Sequence, residues 1–265
     1  MSRTKIDWCD YAWNPVWGCL NNCKYCYARK IAKRFARKMA EQQFVDYVID
    51  PTEGVDIYDI KRWKESLTEK VKYFLPVWLP ANYEKKFPSK PSKIFVNSMS
   101  DIYWWKDEWL KAVLERIRKY PQHDFLFLSK FPHRYDPTEY KYPSNCWLGL
   151  TIDKKVANNI LNMQIYGLMN YLTDNIKFVS FEPLNFDPEI VFDYLDVDWI
   201  IIGAQTNPYK PPERKWIEKI IDFAKSFGIP VFTKNNLIRA YPDLVYKEFP
   251  EDRKLMIKKY VRENT

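Results

Sequence analysis

Three cysteines fall within one short segment, Trp17-Gly18-Cys19-Leu20-Asn21-Asn22-Cys23-Lys24-Tyr25-Cys26. The spacing is C-x3-C-x2-C, with an aromatic residue, Tyr25, directly before the third cysteine. Thiolates this close on one loop can each hold one iron of a cubane cluster. The fourth iron then has no protein ligand. An open metal position is what chemistry requires, whereas a structural site is closed. The same residues allow two blander readings. Cys9 with Cys19, Cys23 and Cys26 supplies four thiolates, enough for a structural zinc site on a nucleic-acid-binding module, although zinc ligands usually come in close pairs. Alternatively the cysteines are unliganded core residues, which suits a polar, Asn-rich loop poorly because free cysteine favours apolar burial. His123 and His133 are too remote in sequence to argue for either metal.

The cysteine count is five, an odd number that fits ligands and core residues better than disulfides. No apolar run follows the positive charges of Met1–Asp7, so no secretory signal is expected. The longest apolar stretch, Trp199–Ala204, is far too short to span a membrane. The expectation is a cytoplasmic protein with reduced thiols and no membrane partner. Hydrophobic residues make up 46% of the chain, enough to build a substantial core from 265 residues.

The net charge of +8 is concentrated in one place. Residues 24–38 hold seven basic residues and no acidic one, directly after the first two cysteines. On a helix, Ala28, Ile31, Ala32, Phe35 and Met39 share one face and Arg29, Lys30, Lys33, Arg34, Arg37 and Lys38 the other. An ordinary solvated face explains this pattern. So does a stripe that tracks the phosphates of DNA or RNA, with Arg29, Lys33, Arg34 and Arg37 as contacts. Tyr103, Trp104 and Trp105 are aromatics available either for stacking on a base or for core packing.

Strand-type runs alternate with helical patterns along the chain. Strands are expected at Lys93–Asn97, Phe125–Leu128, Cys146–Leu150, Ile176–Ser180, Trp199–Ile202 and Pro230–Phe232, with a first short strand just before Cys19. These runs are short and apolar, as strands buried on both faces should be. Helices are expected at about 24–42, 107–119, 153–170, 187–195 and 212–227. Residues 43–92 carry five prolines and one helical stretch near 59–74, and read as an insertion. Residues 1–235 then form the main unit, and 236–265 a C-terminal extension. The alternation predicts a parallel sheet with right-handed crossovers.

Polar residues follow every predicted strand: Asn97 to Asp101, Ser129 and Lys130, Thr151 and Asp153, Ser180 and Glu182, Gly203 and Gln205, Thr233 and Lys234. In a barrel these ends converge on one face, where sites form. The fold class predicted is therefore α/β, a partial (β/α) barrel of six or seven parallel strands.

The cysteine loop resembles the signature of the radical S-adenosylmethionine superfamily. That resemblance implies a 4Fe–4S cluster on Cys19, Cys23 and Cys26, whose open iron chelates S-adenosylmethionine. It also implies reductive cleavage to a 5′-deoxyadenosyl radical and an electron donor such as flavodoxin or ferredoxin. A narrower likeness covers most of residues 6–235. Ile6-Asp7-Trp8, Trp13-Asn14-Pro15-Val16, Phe95 to Asp101, Leu128-Ser129-Lys130, Trp147-Leu148-Gly149, Ser180-Phe181-Glu182-Pro183 and Asp198 to Gly203 carry it. They resemble an uncharacterised family first annotated in phage genomes, in which Gly-Glu-Ser often stands where this chain has Ala204-Gln205-Thr206. A more distant likeness is to spore photoproduct lyase-like enzymes, which repair DNA.

The superfamily resemblance assigns further roles. Tyr25 belongs to the cosubstrate site. Ser98, Ser100 and Asp101 meet the methionine ammonium, or else cap the following helix. Lys130 pairs with its carboxylate and Thr151 donates to it. By their places at strand ends, Gly203 lets the adenine approach the backbone or makes a tight strand-to-loop turn, and Glu182 holds a ribose hydroxyl, acts on substrate or makes a structural hydrogen bond. Glu182, Lys234 and Cys146 are the catalytic candidates, Cys146 as a hydrogen-donating thiol or simply as a core residue.

Overall fold

The structure is a computed structural model and describes residues 1, 3–47, 74–160 and 175–250. Its strands in chain order are β1 (Tyr11–Ala12), β2 (Val16–Trp17), β3 (Val77–Trp78), β4 (Lys93–Phe95), β5 (Asp124–Ser129) and β6 (Cys146–Thr151). They continue with β7 (Ile176–Phe181), β8 (Trp199–Ile202), β9 (Gln205–Thr206), β10 (Tyr209–Lys210) and β11 (Val231–Thr233). The helices are α1 (Tyr27–Lys33), α2 (Ala36–Tyr47), α3 (Pro80–Tyr83), α4 (Asp107–Arg118), α5 (Lys154–Ile160), α6 (Arg214–Ser226) and α7 (Asn235–Ile238).

Seven strands form one sheet in the order β1-β4-β5-β6-β7-β8-β11, every pair parallel. Each successive strand is added on the same side of the last. A doubly wound sheet would reverse direction partway across. Winding in one direction is the barrel pattern, and because β1 and β11 do not pair among the described residues, the barrel is partial.

Side chains alternate between two cores, because successive residues of a strand point to opposite faces. Ile94, Phe125, Phe127, Leu148, Leu150, Val179, Phe181, Ile200, Ile202 and Val231 belong to one core, together with residues of α4 and α6. Phe95, Leu126, Trp147, Phe178, Trp199, Ile201 and Phe232 belong to the other, which faces the inside of the curl and is closed by Trp8. The indole of Trp8 lies 4.7 Å from the Phe95 ring and 6.3 Å from both Phe178 and Trp199.

The inward residues form staggered layers. One layer runs Phe95–Leu126–Trp147–Ile176, the next Leu128–Gly149–Phe178–Trp199, and the third Thr151–Ser180–Ile201–Phe232. Each layer climbs along the chain from strand to strand, as the shear of a barrel requires. Gly149 leaves room for its neighbour: a Cβ there would sit 2.2 Å from the Phe178 ring.

Several boundaries differ from the sequence reading. The strand just before Cys19, β2, pairs antiparallel with β3 from the inserted region, and the first strand of the main sheet is β1. The single helix expected over 24–42 is two helices. The Arg34 and Phe35 N–H groups bond three residues back, to Ile31 and Ala32, which tightens and ends α1. Phe35 accordingly leaves the buried face and lies 48% exposed, 5.6 Å from Trp17. The helix expected at 187–195 is a 3₁₀ helix, Pro188–Tyr194. The expected helix near 59–74 falls, but for its last residue, outside the described residues. So do the later part of the 153–170 helix and the end of the C-terminal extension. After α7 the extension packs back on the sheet. Lys247 pairs with Phe232, and the Phe249 ring lies 5.2 Å from Trp199.

Because the Phe178 ring is fully buried between Gly149 and the Trp8 and Trp199 rings, Gly149→Ala should destabilise the protein by about 1–3 kcal/mol through overpacking. Urea denaturation followed by tryptophan fluorescence measures it. A substitution at exposed Lys155 serves as the neutral control.

Candidate functional site

The inward positions turn polar where the strands end. Lys130 follows Leu128 by two residues, Asp153 follows Thr151, Glu182 follows Ser180, and Lys234 follows Phe232. The alternation that buries aromatics lower in the curl thus delivers these four groups to its open end. A cavity of about 400 Å³ lies there, within the range of small-molecule sites. Cys19, Cys23 and Cys26 line it, with Tyr25, Ser98, Ser100, Asp101, Lys130, Thr151, Glu182 and Lys234. Phe74, Phe95, Met99 and Leu128 supply apolar wall.

The cysteine loop is held by backbone constraints. Gly18 has φ +107°, and a Cβ there would lie 2.0 Å from the Leu75 carbonyl oxygen. Its N–H donates to the Met99 carbonyl at 3.1 Å, and that of Cys19 to Phe74 at 2.7 Å. Asn22 takes the left-handed conformation, φ 53°, between the first two cysteines. The Cys26 sulfur caps α1 by accepting from the Arg29 N–H at 3.4 Å.

Burial pushes the Cys19 thiol up, and the Asp101 carboxylate and the other two cysteines add to it. Burial also raises Cys23, with Lys130 pulling against it. Soft sulfur donors that resist ionisation alone yield their protons to a thiophilic metal. Among the described residues no three His, Cys, Asp or Glu side chains are gathered as a metal site as they stand. The donor set nevertheless fits an iron–sulfur cluster: three thiols on one short loop, each close enough to act on the others, and all open to one cavity. Cys9 lies apart. It packs on the inner core with its thiol donating toward the Ile6 carbonyl at 3.9 Å, and it does not line the cavity. Cys146 points into the helix-side core with Leu148 and Leu150, so the alternation turns it away from the cavity.

The polar side chains are already partnered within the chain. Lys130 Nζ donates to Asp153 Oδ2 at 2.6 Å and to the Tyr25 hydroxyl at 3.1 Å. Tyr25 donates to the same Asp153 oxygen, and Asp153 Oδ1 accepts from the Val156 N–H at the start of α5. Burial works against the Asp153 charge, but Lys130 and these hydrogen bonds hold its carboxyl below the usual range. Lys234 pairs with Glu182. Those two residues follow the positions that flank Ile202 in register, so they close over Gly203. A Cβ at Gly203 would lie 2.9 Å from Lys234 and 3.3 Å from Glu182. The ion pair lies over that glycine.

Asp101 accepts from four donors: Tyr103 N–H, Ser129 Oγ, Asn21 Nδ2 and Lys130 N–H. Ser98 Oγ is bonded to the amide of Asn14, and Ser100 Oγ accepts from Trp105 Nε1. Thr151 lines the cavity with no side-chain hydrogen bond among the described residues. The sequence reading gave no role to Asn14 or Asn21, and named Asn97 only as a polar strand-end residue. Asn97 bonds both the N–H and C=O of Leu128, continuing the β4–β5 ladder through its side chain.

Of the basic residues on the first helices, Lys33 and Arg34 are exposed and without a partner among the described residues. Arg29 is half-buried over the Phe74 ring at 5.7 Å, which removes it from the exposed stripe. The Arg37 side chain lies outside the described residues. Exposed Lys30 donates to Asn207 Oδ1, linking α1 to the β9–β10 hairpin. Trp105 is buried, while Tyr103 and Trp104 are half-buried, with the Tyr103 ring 4.6 Å from Phe131.

The Lys130–Asp153 pair is mostly shielded, at 14% and 7% side-chain exposure. Lys130→Met leaves a buried carboxylate without its cation, which should cost about 3–5 kcal/mol at pH 7. Because the folded carboxyl is held low, its contribution is present above about pH 4 and is lost as pH falls through the folded pKa. Denaturation curves against pH should show a weaker acid limb in the variant.

Two solved structures are similar in fold. A mutant of spore photoproduct lyase is 11% identical with a TM-score of 0.47, over 88% of this chain and 79% of that one. A second mutant, with bound AdoMet and dinucleoside spore photoproduct, is 11% identical with a TM-score of 0.46, over 92% and 79%. No curated protein matches the chain. Among the described residues no helix is long and apolar enough to cross a membrane. One family model matches residues 3–238, and the chain belongs to that family, described as Protein of unknown function (DUF5131).

Proposed function

We propose that this chain is a radical S-adenosylmethionine enzyme. One observation carries the reading: three cysteines at C-x3-C-x2-C spacing line the same cavity as the polar ends of the sheet strands. Cys19, Cys23 and Cys26 would hold a 4Fe–4S cluster. Such a cluster, reduced by a donor such as flavodoxin or ferredoxin, supplies the electron that cleaves S-adenosylmethionine to a 5′-deoxyadenosyl radical. The protein's own part is to bind, orient and exclude water. Lys130 has one ammonium proton left after Asp153 and Tyr25, and offers it to the methionine carboxylate. The Thr151 hydroxyl is a second donor. Glu182 and Lys234 stand where a ribose hydroxyl or the substrate would meet them. The apolar wall of Phe74, Phe95, Met99 and Leu128 keeps water from a reactive intermediate.

The substrate proposed is a nucleic acid or a nucleotide within one. Lys33 and its neighbour Arg34, which have no partner among the described residues, end the helix whose first turn lines the cavity. Tyr27 and Tyr209 are exposed and Lys30 bonds Asn207 beside the β9–β10 hairpin, and every base offers a face to an aromatic ring.

Anaerobic reconstitution with iron and sulfide tests the reaction. Reduced wild type should release 5′-deoxyadenosine from S-adenosylmethionine. Cys19→Ala, Cys23→Ala and Cys26→Ala should abolish release, and Cys9→Ala should retain it. Stoichiometric zinc, or equal loss of metal in Cys9→Ala and Cys23→Ala, would point to the four-thiolate zinc site instead.

Oligonucleotide binding should weaken steeply with salt, since each neutralised phosphate releases counterions. Reversing Lys33 and Arg34 to Glu should flatten the salt slope by about two phosphate contacts and leave uncoupled 5′-deoxyadenosine release unchanged. An unchanged slope removes these residues from the interface.

A further inference from the structure

The loop that carries the cysteines is irregular and partly exposed, yet one polar residue inside it is fixed at both ends. Asn21 Nδ2 donates to Asp101 Oδ2 at 2.7 Å, and Asn21 Oδ1 accepts from Trp104 Nε1 at 2.5 Å. The two ends of the amide are chemically different, so this pair of partners admits one orientation. The Asn21 backbone N–H meanwhile points at the Cys19 sulfur at 3.4 Å. One residue therefore touches the first cysteine through its backbone and the sheet end through its side chain.

Asp101 is the other half of the arrangement. It is 4% exposed. Its Oδ1 receives Tyr103 N–H at 3.1 Å and Ser129 Oγ at 2.5 Å, and its Oδ2 receives Asn21 Nδ2 and Lys130 N–H at 3.0 Å. A carboxylate has about four acceptor sites, and all are filled. The donors come from three segments: the cysteine loop, the turn after β4 and the end of β5. A group so saturated has no acceptor site left for a ligand ammonium. It joins the three segments into one body.

We propose that Asn21 and Asp101 form a clamp that positions Cys19 and Cys23 at the cavity for cluster ligation, with Asn21 as a positioning residue. The proposal rests on the cluster reading for what is ligated, but the clamp is a property of the chain itself. A loop held in place loses less conformational freedom on ligation, and outer partners that orient ligands typically change metal affinity by about 10–100-fold when removed.

The variants are Asn21→Leu, which removes both ends of the amide on a partly exposed loop, and Trp104→Phe, which removes one donor and keeps a ring. Two measurements apply to each. The first is the alkylation rate of each cysteine by iodoacetamide in the metal-free full-length protein, read by mass spectrometry. Asn21→Leu should accelerate Cys19 and Cys23 by about tenfold, with Cys9 and Cys146 unchanged. Trp104→Phe should give a smaller change of the same pattern. The second is iron loss to a chelator after reconstitution, expected to be about 10–100-fold faster in Asn21→Leu. Alkylation rates at Cys19 and Cys23 within twofold of wild type overturn the clamp. So does equal acceleration at Cys9 and Cys146, which is general loosening. If wild type takes up no iron, the cluster reading fails, and the alkylation rates still decide the clamp.

Discussion

Everything at the site follows from one constraint: a parallel sheet covered on both faces must alternate its side chains between two cores. In this chain the inward set begins with aromatics and ends with polar groups. Trp147, Gly149 and Thr151, then Asp153, trace that change along and past a single strand. The stagger between strands then decides which inward residues are neighbours. Ile202 stands opposite both Phe181 and Thr233, so Glu182 and Lys234 arrive on either side of Gly203. The ion pair and the glycine beneath it are one consequence of register, and a side chain at 203 would break both.

The irregular segments are fastened to this frame by side chains that imitate backbone. Asn97 extends the β4–β5 ladder by bonding the N–H and C=O of Leu128. Asn14 bonds Ser98 Oγ and the Met99 N–H, and so holds the turn after β4. Asp101 binds that turn to the cysteine loop. Buried polar networks of this kind are stable when every member is satisfied and costly otherwise. This explains why short polar residues, in place of apolar ones, stand between the sheet and the loop.

Much of this was legible in the sequence, for identifiable reasons. Buried parallel strands are continuous apolar runs between turn formers, so Trp199–Ile202 was found at its true limits and Cys146–Thr151 to within one residue. The polar residues after the strands marked the open end. What escaped depends on contacts distant in sequence. Nothing in Val16-Trp17 or Val77-Trp78 says that they pair with each other across sixty residues. The break after α1, with Phe35 placed against Trp17 eighteen residues earlier, was not legible in the local pattern. The internal partners of Lys130 and Asp101 were not legible, because sequence shows charge and not what it pairs with. Cys146 was a candidate until the alternation of its strand turned it outward.

The internal pairing says something about what the cavity accepts. Lys130 is matched by Asp153, and Lys234 by Glu182, both pairs largely withdrawn from water. Breaking either by inserting a lone charge would leave the displaced partner uncompensated in a poorly hydrated place, at a cost of several kcal/mol. A ligand group carrying both signs avoids that cost, since each of its charges can meet one member of a pair. A neutral hydroxyl or amide avoids it too, by adding a hydrogen bond to a pair that stays closed. A purely anionic group is excluded from the depth of the cavity on these grounds. Lys30, Lys33 and Arg34 are exposed to water, so an anionic group meets their charges without that desolvation cost.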